Sequence, residues 1–283
     1  MARRVFEDRA VIHVTGKDAE NLLQNVITTD LDKLGEGEAQ AGALLTPQGK
    51  ILFDFVISRL EDRGFRLDVR GDVAADLVKR LTLYKLRAKA EISLADQETV
   101  LAIWDNDSES SESDSAVCRD LRFGDAQVFR SYAKGGVTDA GGAEWEAMRI
   151  EHAVAESGRD FELGDAFPHD ILYDYGGGVG LRKGCYVGQE VVSRMHHRGT
   201  ARRRLVKVRA DTPLPESGSA IVVGEREIGR LGTVSGTTGL AIVRIDRVAD
   251  AAANGETVNA GDATLSLSVP AYANFSLEKE PEA

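Results

Sequence analysis

Lys183-Gly184-Cys185-Tyr186-Val187-Gly188-Gln189-Glu190 brings a cation, a thiol, an amide and a carboxylate together, and His196 and His197 follow close behind. Gly184 and Gly188 carry no Cβ, which leaves the backbone N–H groups around Cys185 and Tyr186 open to a ligand. The run from Gln189 to Met195 reads as a short helix. Lys183, Gly184 and Cys185 then stand just ahead of a helix N-terminus, where free amides and the macrodipole favour an anion or a thiolate. Cys185 is the candidate catalytic residue on these grounds. Lys183 can pair with an anionic tail or a phosphate. Gln189 and Glu190 can cap backbone groups, and Glu190 in a first turn equally suits plain compensation of the helix dipole.

A metal is not expected in this chain. Adjacent histidines on a helix diverge by ~100°, so His196 and His197 do not face one ion together. Two cysteines, Cys118 and Cys185, cannot supply the four thiolates of an ordinary iron–sulfur cluster. A cluster shared with a partner stays open. Cys118 reads as incidental.

The elements that would position these residues follow from periodicity. Ala10–Val14 reads as a strand, and Asp18 as the N-cap of a helix with Leu22, Leu23, Val26 and Ile27 on one face. The turn Thr46-Pro47-Gln48-Gly49 leads into an apolar strand, Ile51–Ile57, whose one charge is Asp54. A carboxylate there is costly unless paired or bonded to a ligand. Phe65, Leu67 and Val69 alternate with Arg66, Asp68 and Arg70, as in a half-buried strand. Asp72 opens a helix carrying Val73, Leu77 and Leu81. Leu86 to Ile92 alternates again, which places Arg87 and Lys89 on one strand face, where they can grip a carboxylate. Residues 144–157 read as a helix with Ala147, Ile150 and Val154 inward. From Leu205 on, short strands are punctuated by Pro and Gly, the pattern of a small β-barrel. The serine-rich stretch 105–116 holds five acids and no base, which suits a mobile loop.

Net charge is −11 over 283 residues, which argues against general nucleic-acid affinity. The segment Arg182–Arg209 is the exception, with nine Lys/Arg against one acid, and it suggests a polyanion partner. No apolar run reaches the ~20 residues of a membrane span, so a soluble protein with no membrane partner is expected. The N-terminus has no secretory h-region, strand-like sequence begins almost at once, and two cysteines suit a reducing compartment. The expectation is cytoplasmic.

The octapeptide, followed by V-V-S-R-M-H-H-R-G, resembles the signature of the YgfZ family, folate-binding proteins related to the aminomethyltransferase (GcvT) of the glycine cleavage system. Weaker likeness runs through Leu22–Asp30, Tyr84–Lys89, Arg149-Ile150-Glu151 and Pro168-His169-Asp170. The resemblance implies an α+β fold of GcvT type, multi-domain around a central folate-type cavity, with a C-terminal β-barrel. Residues 1–50 with 150–203 would form a discontinuous folate-binding domain. Residues 51–149 would form a ferredoxin-like domain, 204–277 the barrel, and 278–283 a disordered tail. The implied cofactor is tetrahydrofolate or a derivative. Asp54, Arg87, Lys89, Lys183, Gly184, Tyr186, Gly188, Gln189, Glu190 and Arg198 are the residues expected around it.

The implied function is assembly or repair of iron–sulfur clusters in client enzymes, including one that thiolates tRNA. The partners are then those enzymes or assembly proteins, with tRNA contact through residues 182–209. The alternatives are an aminomethyltransferase that moves a one-carbon unit to tetrahydrofolate, and a tRNA-binding accessory module. Aminomethyltransferases carry an Asp-Asp pair where this chain has Phe53-Asp54, and they lack the cysteine motif.

Overall fold

The computed structural model describes residues 2–104, 117–134 and 141–279. The acidic serine-rich stretch 105–116 lies outside these. The chain forms two compact units, one from residues up to Gly142 plus Gly177–Gln189, the other from Ala143–Gly176 plus residues from Glu190 onward.

The first unit is built on β1 (Ala2–Phe6), β2 (Arg9–Thr15), α1 (Ala19–Gln24), β3 (Glu38–Leu45), β4 (Ile51–Arg59), β5 (Phe65–Arg70), α2 (Gly71–Lys85), β6 (Glu91–Leu94), β7 (Glu98–Trp104), β8 (Val117–Asp120) and β9 (Phe129–Lys134). These strands form one nine-stranded sheet in the order β1-β7-β9-β8-β3-β4-β5-β2-β6. Pairing is antiparallel except between β3 and β8. No boundary between units falls at residue 50, which lies inside the β3–β4 hairpin of the first unit, where the two strands pair along most of their length. Ile12, Val14, Leu23, Phe55, Ile57, Leu67 and Val69 make the core with Leu77 and Leu81 of α2.

Two local expectations fail here. β5 is not half-buried: Arg66 and Asp68 are buried as fully as their apolar neighbours. Their face is covered, and the charges there form ion pairs with one another. Asp68 takes Arg9 and, at 3.4 Å, Arg130, which reaches Asp120 at 3.1 Å. Arg66 pairs with Glu98 at 3.1 Å and lies over the Tyr132 ring.

The second failure is the strand expected from Leu86. α2 runs to Lys85, and Ala88 N–H then donates to Lys85 O at 2.7 Å, which closes a tight turn. Leu86 sits in that turn at φ +46° and is 87% exposed. Arg87 and Lys89 therefore precede β6, exposed and off any shared strand face. Asp18 is diverted as well. Its carboxylate accepts the Lys89 N–H at 2.7 Å and does not cap α1.

The second unit holds most of α3 (Gly142–His152) and α4 (Gln189–Arg198), then β10 (Arg203–Arg209), β11 (Ala220–Val223), β12 (Arg226–Ser235), β13 (Thr238–Arg244), α5 (Ile245–Asn254), β14 (Val258–Ala260), β15 (Ala263–Thr264) and β16 (Ser266–Ser268). Its seven strands run β15-β14-β11-β12-β13-β10-β16. Val206, Val208, Ile221, Leu231, Ala241 and Val243 pack with Val248 of α5. That helix was not expected from the sequence, and it ends on Gly255 in the left-handed region.

α3 is shorter than expected. Ala147 faces solvent, while Trp145 and Arg149 are buried. Arg149 donates to Glu146, Asp160, Val154 O and Thr233, which ties α3 to β12. Lys279, near the C-terminal end of the described residues, pairs with Asp250 at 3.0 Å. Residues 280–283 lie outside the described part.

Candidate functional site

The signature segment is sewn to the chain just after α1. Thr28 Oγ1 donates to Gly178 O at 2.7 Å, and Gly180 N–H donates to Thr28 O at 2.8 Å. Residues 26–30 leave α1 without a regular ladder, so their carbonyls need partners from elsewhere. Lys183 supplies them: its Nζ donates to Ile27 O at 2.9 Å and Thr29 O at 2.6 Å. The lysine is buried, and burial lowers its pKa to about 8 against the pull of Asp30 and Asp32. The expectation that Lys183 grips an anionic tail is thereby corrected, because its ammonium is spent on backbone carbonyls.

Gly188 is at φ +78°, and a Cβ there would lie 2.5 Å from Thr46 O. This close approach seats the segment against the turn after β3. Gly184 is different: it is exposed, and a Cβ would meet nothing within 4 Å. Between these glycines Cys185 is exposed and free, while the next residue, Tyr186, is buried. The Tyr186 hydroxyl has no hydrogen-bond partner among the described residues, and burial pushes its pKa up to about 12. Lys183 Nζ lies 5.3 Å from the Tyr186 ring centre.

α4 begins at Gln189, the residue expected to open it. Gln189 N–H donates to Tyr186 O, and Glu190 is exposed in the first turn, where it complements the dipole. The helix closes on Gly199 at φ +58°, with Thr200 N–H reaching Met195 O and Gly199 N–H reaching His196 O. That is a Schellman closure, and it explains the glycine after Arg198. Arg198 itself is exposed in the last turn. Asp54 is buried on β4. The basic segment is less open than its sequence: Arg204 bonds Asp174 and His169 O, and Arg203 pairs with Asp165, whereas Arg182, Arg194, Arg202 and Arg209 are exposed.

One group with metal-ligating geometry occurs among the described residues, and periodicity does not reveal it. The ligand atoms of His169, Asp174 and His196 lie within 4.8 Å of one another. His169 is fully buried, and burial lowers its pKa to about 4, with Asp174 opposing and Arg204 and His196 adding to the shift. The three residues are separated by five and 22 positions, so only the folded chain unites them. His197 stands T-shaped to His196 and outside the group.

Two family models match the chain. Residues 8–109 match the GCVT N-terminal domain and 202–275 match the CAF17 C-terminal beta-barrel domain. The fold is therefore GcvT-like with a C-terminal β-barrel. The crystal structure of the glycine cleavage system aminomethyltransferase T from Bartonella henselae superposes with a TM-score of 0.74 over 95% of this chain and 84% of that one. At 17% identity this likeness is one of fold.

Among curated proteins, the mitochondrial iron-sulfur cluster assembly factor IBA57 homolog of Mycosarcoma maydis is 32% identical over 74% of this chain, which spans 58% of that relative's length. The human mitochondrial factor IBA57 is 27% identical over 86% of this chain and 77% of its own. The cytoplasmic expectation is corrected by these relatives, which are named as mitochondrial proteins. The Aspergillus fumigatus IBA57 homolog is 30% identical over 88% of this chain and 71% of its own. With that coverage on both sides, the chain belongs to the CAF17/IBA57 family.

Proposed function

We propose that the protein serves the assembly of iron–sulfur clusters, with Cys185 as the thiol through which it acts and tetrahydrofolate or a derivative as its cofactor. The relatives carry the first part in their names, and the partners are then client enzymes or assembly proteins. The resemblance of the octapeptide to YgfZ proteins, which use tetrahydrofolate, supports the second.

The observation that carries the reading is the exposed, unbridged thiol of Cys185, held on a segment anchored on either side by Lys183 and Gly188. An anchored thiol presents the same sulfur to each partner without an ordering penalty at every encounter. The residues present fit a folate in part. The buried, unpartnered Tyr186 hydroxyl and the Gln189 amide suit a polar heterocycle. Lys183 is not available to an acidic tail, so that role passes to the exposed Arg182. Bound folate would supply one-carbon or redox chemistry of its own. The chain's residues bind and orient it.

Aminomethyl transfer is the weaker reading, because Phe53 precedes Asp54 where an acidic pair would stand. Contact with tRNA through residues 182–209 is weakened by the inward Lys183 and Arg204.

The test has two arms. Iron–sulfur enzyme activities are measured in cells whose only copy carries Cys185→Ala. A loss comparable to deletion is expected, and full activity removes the thiol from the mechanism. Calorimetric titration with tetrahydrofolate should show binding to wild type that weakens in Tyr186→Phe. Absence of binding removes the cofactor from the proposal.

A further inference from the structure

We propose that His169, Asp174 and His196 form an exchangeable binding site for a divalent transition metal of the zinc or iron(II) class. All three belong to the second unit, and the site does not involve Cys185.

The argument starts from an unsatisfied histidine. His169 is 0% exposed, yet neither ring nitrogen has a hydrogen-bond partner among the described residues. A neutral imidazole offers one N–H and one lone pair, and leaving such groups buried without partners is unfavourable. Buried side chains are seldom left so. Asp174 faces the ring, with its Oδ2 4.0 Å from His169 Nε2, too far for a hydrogen bond and suited to an atom in between.

On the third side stands His196, its ring centre 6.3 Å from that of His169. Ligand atoms within 4.8 Å of one another must draw in to roughly 3.3 Å, the edge of a tetrahedron with bonds of about 2.0 Å. The exposed His196 side chain can make that move by a change of rotamer.

The surroundings are those of a tuned site. Arg204 Nη1 lies 2.9 Å from both Asp174 oxygens and 2.8 Å from His169 O, fixing the carboxylate and the backbone of the buried ligand together. Such outer contacts orient ligands. The guanidinium charge also opposes a cation, so the ion is held loosely and exchanges. Two imidazoles and one carboxylate with open positions suit Zn²⁺ or Fe²⁺ over Mg²⁺ or Ca²⁺. Three protein ligands with one exposed side leave room for a fourth from solvent or a partner.

The experiment uses the full chain, stripped with chelator and titrated with Co²⁺ under visible absorption, then with Zn²⁺ by calorimetry. One ion per chain is expected, with a ligand-field band that Zn²⁺ abolishes. His196→Ala, an exposed change, should weaken binding at least about tenfold with an unchanged circular dichroism spectrum. His197→Ala and Cys185→Ser should bind as wild type. Lack of uptake at micromolar metal overturns the proposal. So does equal weakening by His197→Ala, or loss of the ion in Cys185→Ser.

Discussion

Gly188→Ala and Gly184→Ala, two chemically identical changes on either side of Cys185, should have very different consequences. At Gly188 the backbone is at φ +78°, where an L-residue costs about 1–2 kcal/mol. The added methyl would lie 2.5 Å from Thr46 O, 3.0 Å from Leu45 Cβ and 3.1 Å from Gly49 Cα. Two of these are backbone atoms of a turn closed by Gly49 N–H to Thr46 O at 2.9 Å, so they cannot rotate aside. Overpacking of this kind adds about 1–3 kcal/mol, for a total of about 2–5 kcal/mol. At Gly184 there is nothing within 4 Å of the new carbon and φ is not positive, so a change within about 0.5 kcal/mol is expected. Urea unfolding followed by tryptophan fluorescence measures both, with Trp104 buried in the first unit and Trp145 in the second. If Gly188→Ala unfolds at the wild-type midpoint, or Gly184→Ala falls with it, the seating of the signature segment against the turn after β3 is wrong.

Two further outcomes follow from the same unit. Leu86 occupies a turn position at φ +46° and ψ −106° with its side chain in solvent, a conformation suited to glycine. Leu86→Gly should therefore raise stability by about 1 kcal/mol, and a lower unfolding midpoint would contradict the turn. Lys183 has a folded-state pKa near 8, below its ordinary value of 10.5, because of burial. The unfolded chain then binds more protons between these values, and stability from this group rises with pH across that window. The stability difference between wild type and Lys183→Met should shift in favour of wild type by about 1–2 kcal/mol from pH 7.5 to 9.5. A flat or falling difference refutes the burial of the ammonium.

Much of the chemistry-bearing segment was legible in the sequence because its signals are local. Gly188 followed by Gln189-Glu190 marks a helix start, the apolar run 51–57 marks β4, and Pro and Gly separate the strands after residue 205. What escaped depends on partners distant in the chain. Lys183 looks like a free cation until Ile27 and Thr29 are seen to receive it. Arg66 and Asp68 look solvent-facing because alternation reports polarity and not the charges that arrive from Glu98 and Arg130. Leu86 belongs to an alternating run, yet the preceding helix extends to Lys85 and takes the register away. α5 was hidden because it follows β13 without a spacer, although Asp246 and Gly255 are ordinary start and stop residues.

The interleaving of the two units bears on how the chain matures on the ribosome. Every strand of the nine-stranded sheet has been synthesised once residue 134 is made, but Lys183, which fills the carbonyls of Ile27 and Thr29, has not. At about 5–20 residues per second that delay lasts roughly 2–10 s. During it the nascent first unit holds an unfinished seam where its last buried lysine will dock. A shortened product ending before that lysine keeps all nine strands yet never closes, which makes it a ready client for chaperones and proteases.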